Sequence, residues 1–120
     1  MNGRPIDPAT FAALIEMTGG DLAFVDDLVD TYLEEGAGLV AALQAGSAGP
    51  ADGLVRPAHS LKSSSLNVGA LELGGLCRDL EEQARSGPVS DPAERVAAIA
   101  AGFADVRTAL LADRQRRVTG

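Results

Sequence analysis

The sequence predicts an all-α fold, an up-down-up-down four-helix bundle with a short N-terminal helix. Three observations carry that reading. Apolar residues recur at spacings of three and four through four long segments, and no segment alternates with period two long enough to suggest a strand. The 120 residues are 46% hydrophobic but only 3% aromatic, so the interior is built from Ala, Leu and Val, which favour closely packed helices. Gly, Pro and Asp punctuate the segments, each with a mechanical reason.

The elements follow in chain order. Asp7-Pro8 reads as a cap followed by proline at the first helical position, opening a short helix over about 8–18 with Phe11, Leu14 and Ile15 as its stripe. Gly19-Gly20 stop it. Asp21 caps a second helix over about 21–45, whose apolar face is Val25, Leu28, Val29, Tyr32, Leu39, Val40 and Leu43. Gly36 and Gly38 lie inside it and allow a bend there. After a loop at Gly46–Pro50, a third helix spans about 51–67, with Leu54, Ala58, Leu61 and Ser65 facing inward. Pro57 cannot donate to the carbonyl of Gly53, so this helix either begins near Gly53 or kinks there. A fourth covers about 70–86, with Ala70, Leu73, Cys77, Leu80 and Ala84 on one side and Gly87-Pro88 at its end. Asp91-Pro92 with Glu94 reads as another cap. The last helix, about 92–115, carries Val96, Ile99, Ala100, Phe103, Val106, Leu110 and Leu111 at helical spacing. Residues 1–120 read as one domain without internal repeats.

Composition excludes several functions. With 17 acidic against 10 basic side chains the net charge is −7, which repels nucleic-acid phosphates and anionic membrane surfaces. No apolar run approaches the roughly 20 residues that span a bilayer. The opening residues, Met1 to Ala9, lack the basic-then-apolar pattern of a secretory signal. A single cysteine allows no internal disulfide and no cysteine-built zinc cage, which fits a cytoplasmic protein. Between Pro5 and Val55 there are nine acids and no base, whereas Arg56 to Gly120 carries nine bases and eight acids. The acidic half reads either as a solvated helix face or as one that helps select a partner. Met1 and the basic tail through Arg114, Arg116 and Arg117 fit a complete small protein.

Familiar catalytic patterns are missing. The serines have no candidate base but His59, and nothing marks an acidic orienter or oxyanion hole. The Gly pairs at 19–20 and 74–75 lack the flanks of a phosphate loop, and one histidine is too few for a catalytic zinc or iron site. Glu81 and Glu82 are adjacent, so they point in different directions on a helix; Glu81 is expected at the surface or bundle edge with no chemical role. That leaves His59. It lies about 100° round the helix from the inward-facing Ala58, and shares its face with Val55, Lys62, Ser63 and Leu66. An exposed imidazole beside the only lysine, framed by two apolar residues, suggests a docking surface with a reactive centre. Periodicity alone does not separate that reading from an inert surface histidine.

The wider run AHSLKSSSLNVGALELGGLCRDLEEQAR, from Ala58 to Arg85, closely resembles the signature of histidine-containing phosphotransfer (HPt) domains of bacterial phosphorelays. The matching positions are Ala58, His59, Leu61, Lys62, Gly69, Ala70, Leu73, Cys77, Leu80 and Glu81. Ile6-Asp7-Pro8, Gly19-Gly20-Asp21 and the DLVDTYLEEGAGLVAAL helix extend the likeness over essentially the whole chain. Two departures stand out. The family usually has glycine where this chain has Ser63, whose side chain either crowds the imidazole or bonds to it, and Pro57 before the Ala-His pair is unusual.

The resemblance implies a phosphoryl carrier. His59 would take a phosphoryl group from a receiver-domain aspartate through its outward ring nitrogen and pass it to another receiver, with Lys62 supplying charge stabilisation and Ser63 near the imidazole. Val55 and Leu66 would bind partners. Mg²⁺ would belong to the receiver, so the chain needs no cofactor or metal of its own, and no ATP site is present. The implied partners are response-regulator receiver domains and a hybrid sensor histidine kinase, with the chain itself a monomer. Cys77 is expected to be a small core residue. Two other readings compete: a non-phosphorylated adaptor docking receiver or kinase domains through the same face, and a structural or dimerising bundle.

Overall fold

The computed structural model describes residues 4–119; residues 1–3 and 120, the ends of the expected domain, lie outside it. Five α-helices form: α1 (Pro8–Met17), α2 (Leu22–Gly46), α3 (Val55–Asn67), α4 (Leu71–Ser86) and α5 (Pro92–Thr119). None of the described residues is in a strand. Helix α2 packs on α3, α3 on α4, α4 on α5, and α5 closes back on α2, while the diagonal pairs make no close backbone contact. Short connections make consecutive helices antiparallel, giving a four-helix bundle with α1 laid against α2 and α3.

The apolar stripes meet at the bundle axis. Val25, Val29, Tyr32, Val40 and Leu43 of α2 are buried, as are Ala58 and Leu61 of α3. Leu73, Cys77, Leu80 and Ala84 join them from α4, and Val96, Ile99, Phe103, Val106 and Leu110 from α5. One buried polar pair crosses this core: the Tyr32 hydroxyl lies 2.8 Å from Ser65 Oγ, so neither hydroxyl is left unsatisfied.

Caps set the helix ends. Asp7 accepts hydrogen bonds from the backbone N–H and the hydroxyl of Thr10, and Asp21 accepts from the N–H of Phe24. Helix α3 ends in a reciprocal C-terminal motif, with Ala70 N–H donating to the Ser65 carbonyl and Gly69 N–H to that of Leu66. Gly69 has φ of +91°, and its carbonyl accepts from Asp7 N–H at 2.7 Å, so the chain before α1 is tied to the α3–α4 turn. A Cβ at Gly69 would sit 3.0 Å from the Asp7 carbonyl oxygen.

Two expectations change. The stretch 51–67 is not one helix: Ala51–Leu54 forms a 3₁₀ turn that leads straight into α3. Pro57 is then the third residue of α3, where its missing N–H would have had no partner inside the helix. Asp91 does not cap with its side chain; it adopts φ of +49°, and its backbone carbonyl accepts from Arg95 N–H. Helix α2 runs unbroken past Gly36 and Gly38. At Gly36 the Phe103 ring of α5 lies in the space a Cβ would need.

The two glycines therefore predict opposite effects. Gly36→Ala should destabilise the fold by about 1–3 kcal/mol, because the Phe103 ring must move and take Tyr32, 5.8 Å away centroid to centroid, with it. Gly38→Ala meets nothing and should stabilise by up to about 1 kcal/mol through helix propensity. Urea denaturation of the pair checks this; matching signs would show that the Phe103 contact does not matter.

Part of the acidic half is consumed internally. Asp26 and Asp30 of α2 face Arg114 and Arg117 of α5, with Arg114 Nη2 2.8 Å from Asp30 Oδ1 and Arg117 Nη1 3.1 Å from Asp26 Oδ1. The tail arginines fasten α5 to the start of α2. Asp27, Glu34 and Glu35 remain on the exposed face of α2.

Candidate functional site

Helices α3 and α4 lie close because small residues line their seam. Ala58 and Ser65 of α3 and Gly74 and Cys77 of α4 are all buried, and the Leu66 side chain occupies the space above Gly74 that a Cβ would fill. That proximity brings one carboxylate of α4 against two basic groups of α3.

The carboxylate is Glu81, buried at 5% exposure. It follows Leu73 and Cys77 at intervals of four, so it continues the inward stripe while Glu82 points to solvent. Glu81 Oε1 is 2.8 Å from Lys62 Nζ, and Oε2 lies 2.9 Å from His59 Nδ1. The same Oε2 accepts from Arg85 Nε at 3.0 Å and Nη2 at 2.8 Å, a forked contact within one turn of α4. The Lys62 ammonium foremost, helped by Arg85 and His59, holds the Glu81 carboxyl at about 2 against the opposing effect of burial. An ionised carboxylate only accepts hydrogen bonds, so His59 Nδ1 must carry the proton it shares with Glu81. In the neutral ring that tautomer places the lone pair on Nε2.

His59 itself is half exposed, its side chain at 52%. Lys62, Arg85 and Glu81 sum to one net positive charge beside the ring. Lys62 is bound to Glu81, not free. Ser63 is exposed and makes no hydrogen bond among the described residues, so the imidazole is held by Glu81 alone. Val55 is half-buried against the core, and Leu66 is 41% exposed. Beside Leu66, a groove of about 510 Å³ runs between α1, α2 and α3, with Leu14, Met17 and Leu28 on its other walls. Cys77 is fully buried, and desolvation pushes its thiol up to about 12, as suits a core residue.

A family model, the Hpt domain, matches residues 27–109, which include every member of this cluster. The chain belongs to the Hpt domain family. A crystal structure of histidine-containing phosphotransfer protein B (HptB) from Pseudomonas aeruginosa PAO1 is similar throughout. It is 32% identical, superposes with a TM-score of 0.85, and the match covers 96% of this chain and 98% of that one. A comparison with curated proteins gave no match. The helical-bundle expectation and the family resemblance both hold. Sequence reasoning about this Hpt domain missed Glu81 and Arg85. The available signal was a carboxylate on an apolar stripe, which demands cationic partners, and the only His and Lys lie on the facing helix.

Among the described residues no group of His, Cys, Asp and Glu has the arrangement of a metal site, and no helix is long and apolar enough to cross a membrane.

Proposed function

We propose that this Hpt domain carries a phosphoryl group on His59 Nε2 between receiver-domain aspartates in a phosphorelay. The observation that carries the reading is the contact of His59 Nδ1 with the buried Glu81 carboxylate on a half-exposed ring, which in the neutral tautomer leaves the lone pair on Nε2 for attack. In the transfer the Nε2 lone pair forms the N–P bond as the P–O bond to the aspartate breaks, and that electron pair leaves on the carboxylate. The ring keeps its Nδ1 proton and becomes a phosphoimidazolium, whose positive charge faces Glu81. Catalysis is then positioning and charge balance. Lys62 fixes Glu81 and adds positive charge one turn from the reacting nitrogen. Mg²⁺ and the acidic pocket belong to the receiver, and a hybrid sensor kinase supplies the phosphoryl group. Leu66 and the groove beside it form the apolar docking face, with Val55 supporting the turn beneath His59. The chain acts as a monomeric, cytoplasmic single domain.

Incubation with a panel of phosphorylated receivers should leave an acid-labile, alkali-stable label, the signature of phosphohistidine. A label that survives acid, or none from any receiver, would overturn the proposal. Ser63 stands one turn from His59 on the approach side. Ser63→Gly should raise the transfer rate severalfold by opening that approach, at a stability cost of up to about 1 kcal/mol. A slower variant would assign the hydroxyl a positive role.

A further inference from the structure

Ten basic side chains are present, and among the described residues only Arg56 and Arg107 have neither an ionic nor a hydrogen-bonding partner. Arg107 is on α5, diagonal to α3 and away from His59. Arg56 is one turn before His59 on α3 and exposed. Its placement is locally unfavourable. It is the second residue of α3, where the helix dipole repels a cation, and no acid occupies that first turn to offset it. Asp52, four residues earlier, does not pair with it. A residue that breaks a local rule without structural return is a candidate for function.

The surroundings of the imidazole narrow that function. Helical side chains lean toward the N-terminus, so His59 covers the turn that holds Arg56, at the short separation of residues three apart. The other two cations near the ring, Lys62 and Arg85, are both engaged by Glu81. Arg56 is therefore the positive group left free on the open side, and its planar fork matches two oxygens of a phosphoryl group.

We infer that Arg56 is a catalytic residue that binds the phosphoryl oxygens as the group passes between the partner's aspartate and His59. The inference rests on the carrier reading above. Arg56 makes no covalent bond; two of its N–H groups donate to phosphoryl oxygens while the N–P bond forms and the aspartyl P–O bond breaks.

Two measurements test it. Transfer from a phosphorylated receiver should fall about tenfold in kcat for Arg56→Ala, the scale of one charge-assisted hydrogen bond, and Arg56→Lys should restore only part. Binding to a receiver loaded with beryllofluoride should weaken about tenfold in Arg56→Ala, while binding to the unloaded receiver changes less than about twofold. Arg56→Ala should fold at least as stably as wild type, since the replaced cation opposed the helix dipole. Equal weakening for loaded and unloaded receivers would place Arg56 against the receiver's carboxylates and overturn the inference, as would an unchanged kcat. His59→Gln runs beside these variants. Wild-type uptake with Arg56→Ala unimpaired sinks this inference alone; wild-type uptake no greater than His59→Gln sinks the carrier reading and this one with it.

Discussion

The His59→Gln protein is expected to fold as wild type and to take up no acid-labile phosphoryl group from any receiver. His59 is half exposed and supports no part of the core, so its replacement opens no cavity. Glutamine is of similar reach, and its amide N–H can donate to Glu81 Oε2 in place of the ring N–H. What it lacks is a nitrogen lone pair able to attack phosphorus. Loss of uptake should thus be complete, with circular dichroism and receiver affinity unchanged. Label in His59→Gln equal to wild type would end the carrier reading. Signalling retained in cells by the unlabelled variant would instead favour an adaptor that docks without transferring.

Glu81→Gln is expected to lower both transfer and stability. A carboxyl that sits at about 2 in the fold, against an ordinary 4.5, stabilises the folded protein at every pH above the ordinary value. That contribution is lost as pH falls from about 4.5 to about 2, and the shift corresponds to about 3 kcal/mol. Acid titration of wild-type stability should therefore show a slope in that window, and Glu81→Gln should lack it. Near neutral pH the variant should be less stable by a similar amount, since Lys62 and Arg85 lose their shared acceptor. Transfer should fall about a hundredfold, because the amide no longer dictates which ring nitrogen carries the proton, and the imidazole loses its aim. Unchanged transfer in a destabilised variant would leave Glu81 a purely structural residue. Glu81→Asp, shorter by one methylene, should recover the acid slope more fully than the rate.

The architecture was readable because it is written in periodicity. Every inward stripe proposed for α2 to α5 includes the apolar side chains found buried, and both Asp7 and Asp21 cap as expected. Features that depend on another helix were harder. Gly36 looks like a flaw in α2 until Phe103, far along the chain, is seen resting on it. Val55 looks exposed on a helical wheel, yet it is half-buried against the core. Glu81 was hidden most thoroughly. Its partners His59 and Lys62 belong to a different helix, and a pattern of adjacent glutamates disguises that only one lies on the α4 stripe. His59 and Lys62 stood out by scarcity; the group that orients them did not, because glutamate is common.

All the groups argued to handle phosphorus come from one helical hairpin, α3 and α4, while α2 and α5 contribute none of them. Inheritance can therefore act on the two halves separately. The exposed acids of α2, Asp27, Glu34 and Glu35, can be exchanged without touching any member of the hairpin's cluster. A duplicated copy of such a gene can therefore change that flank and still inherit the whole cluster intact.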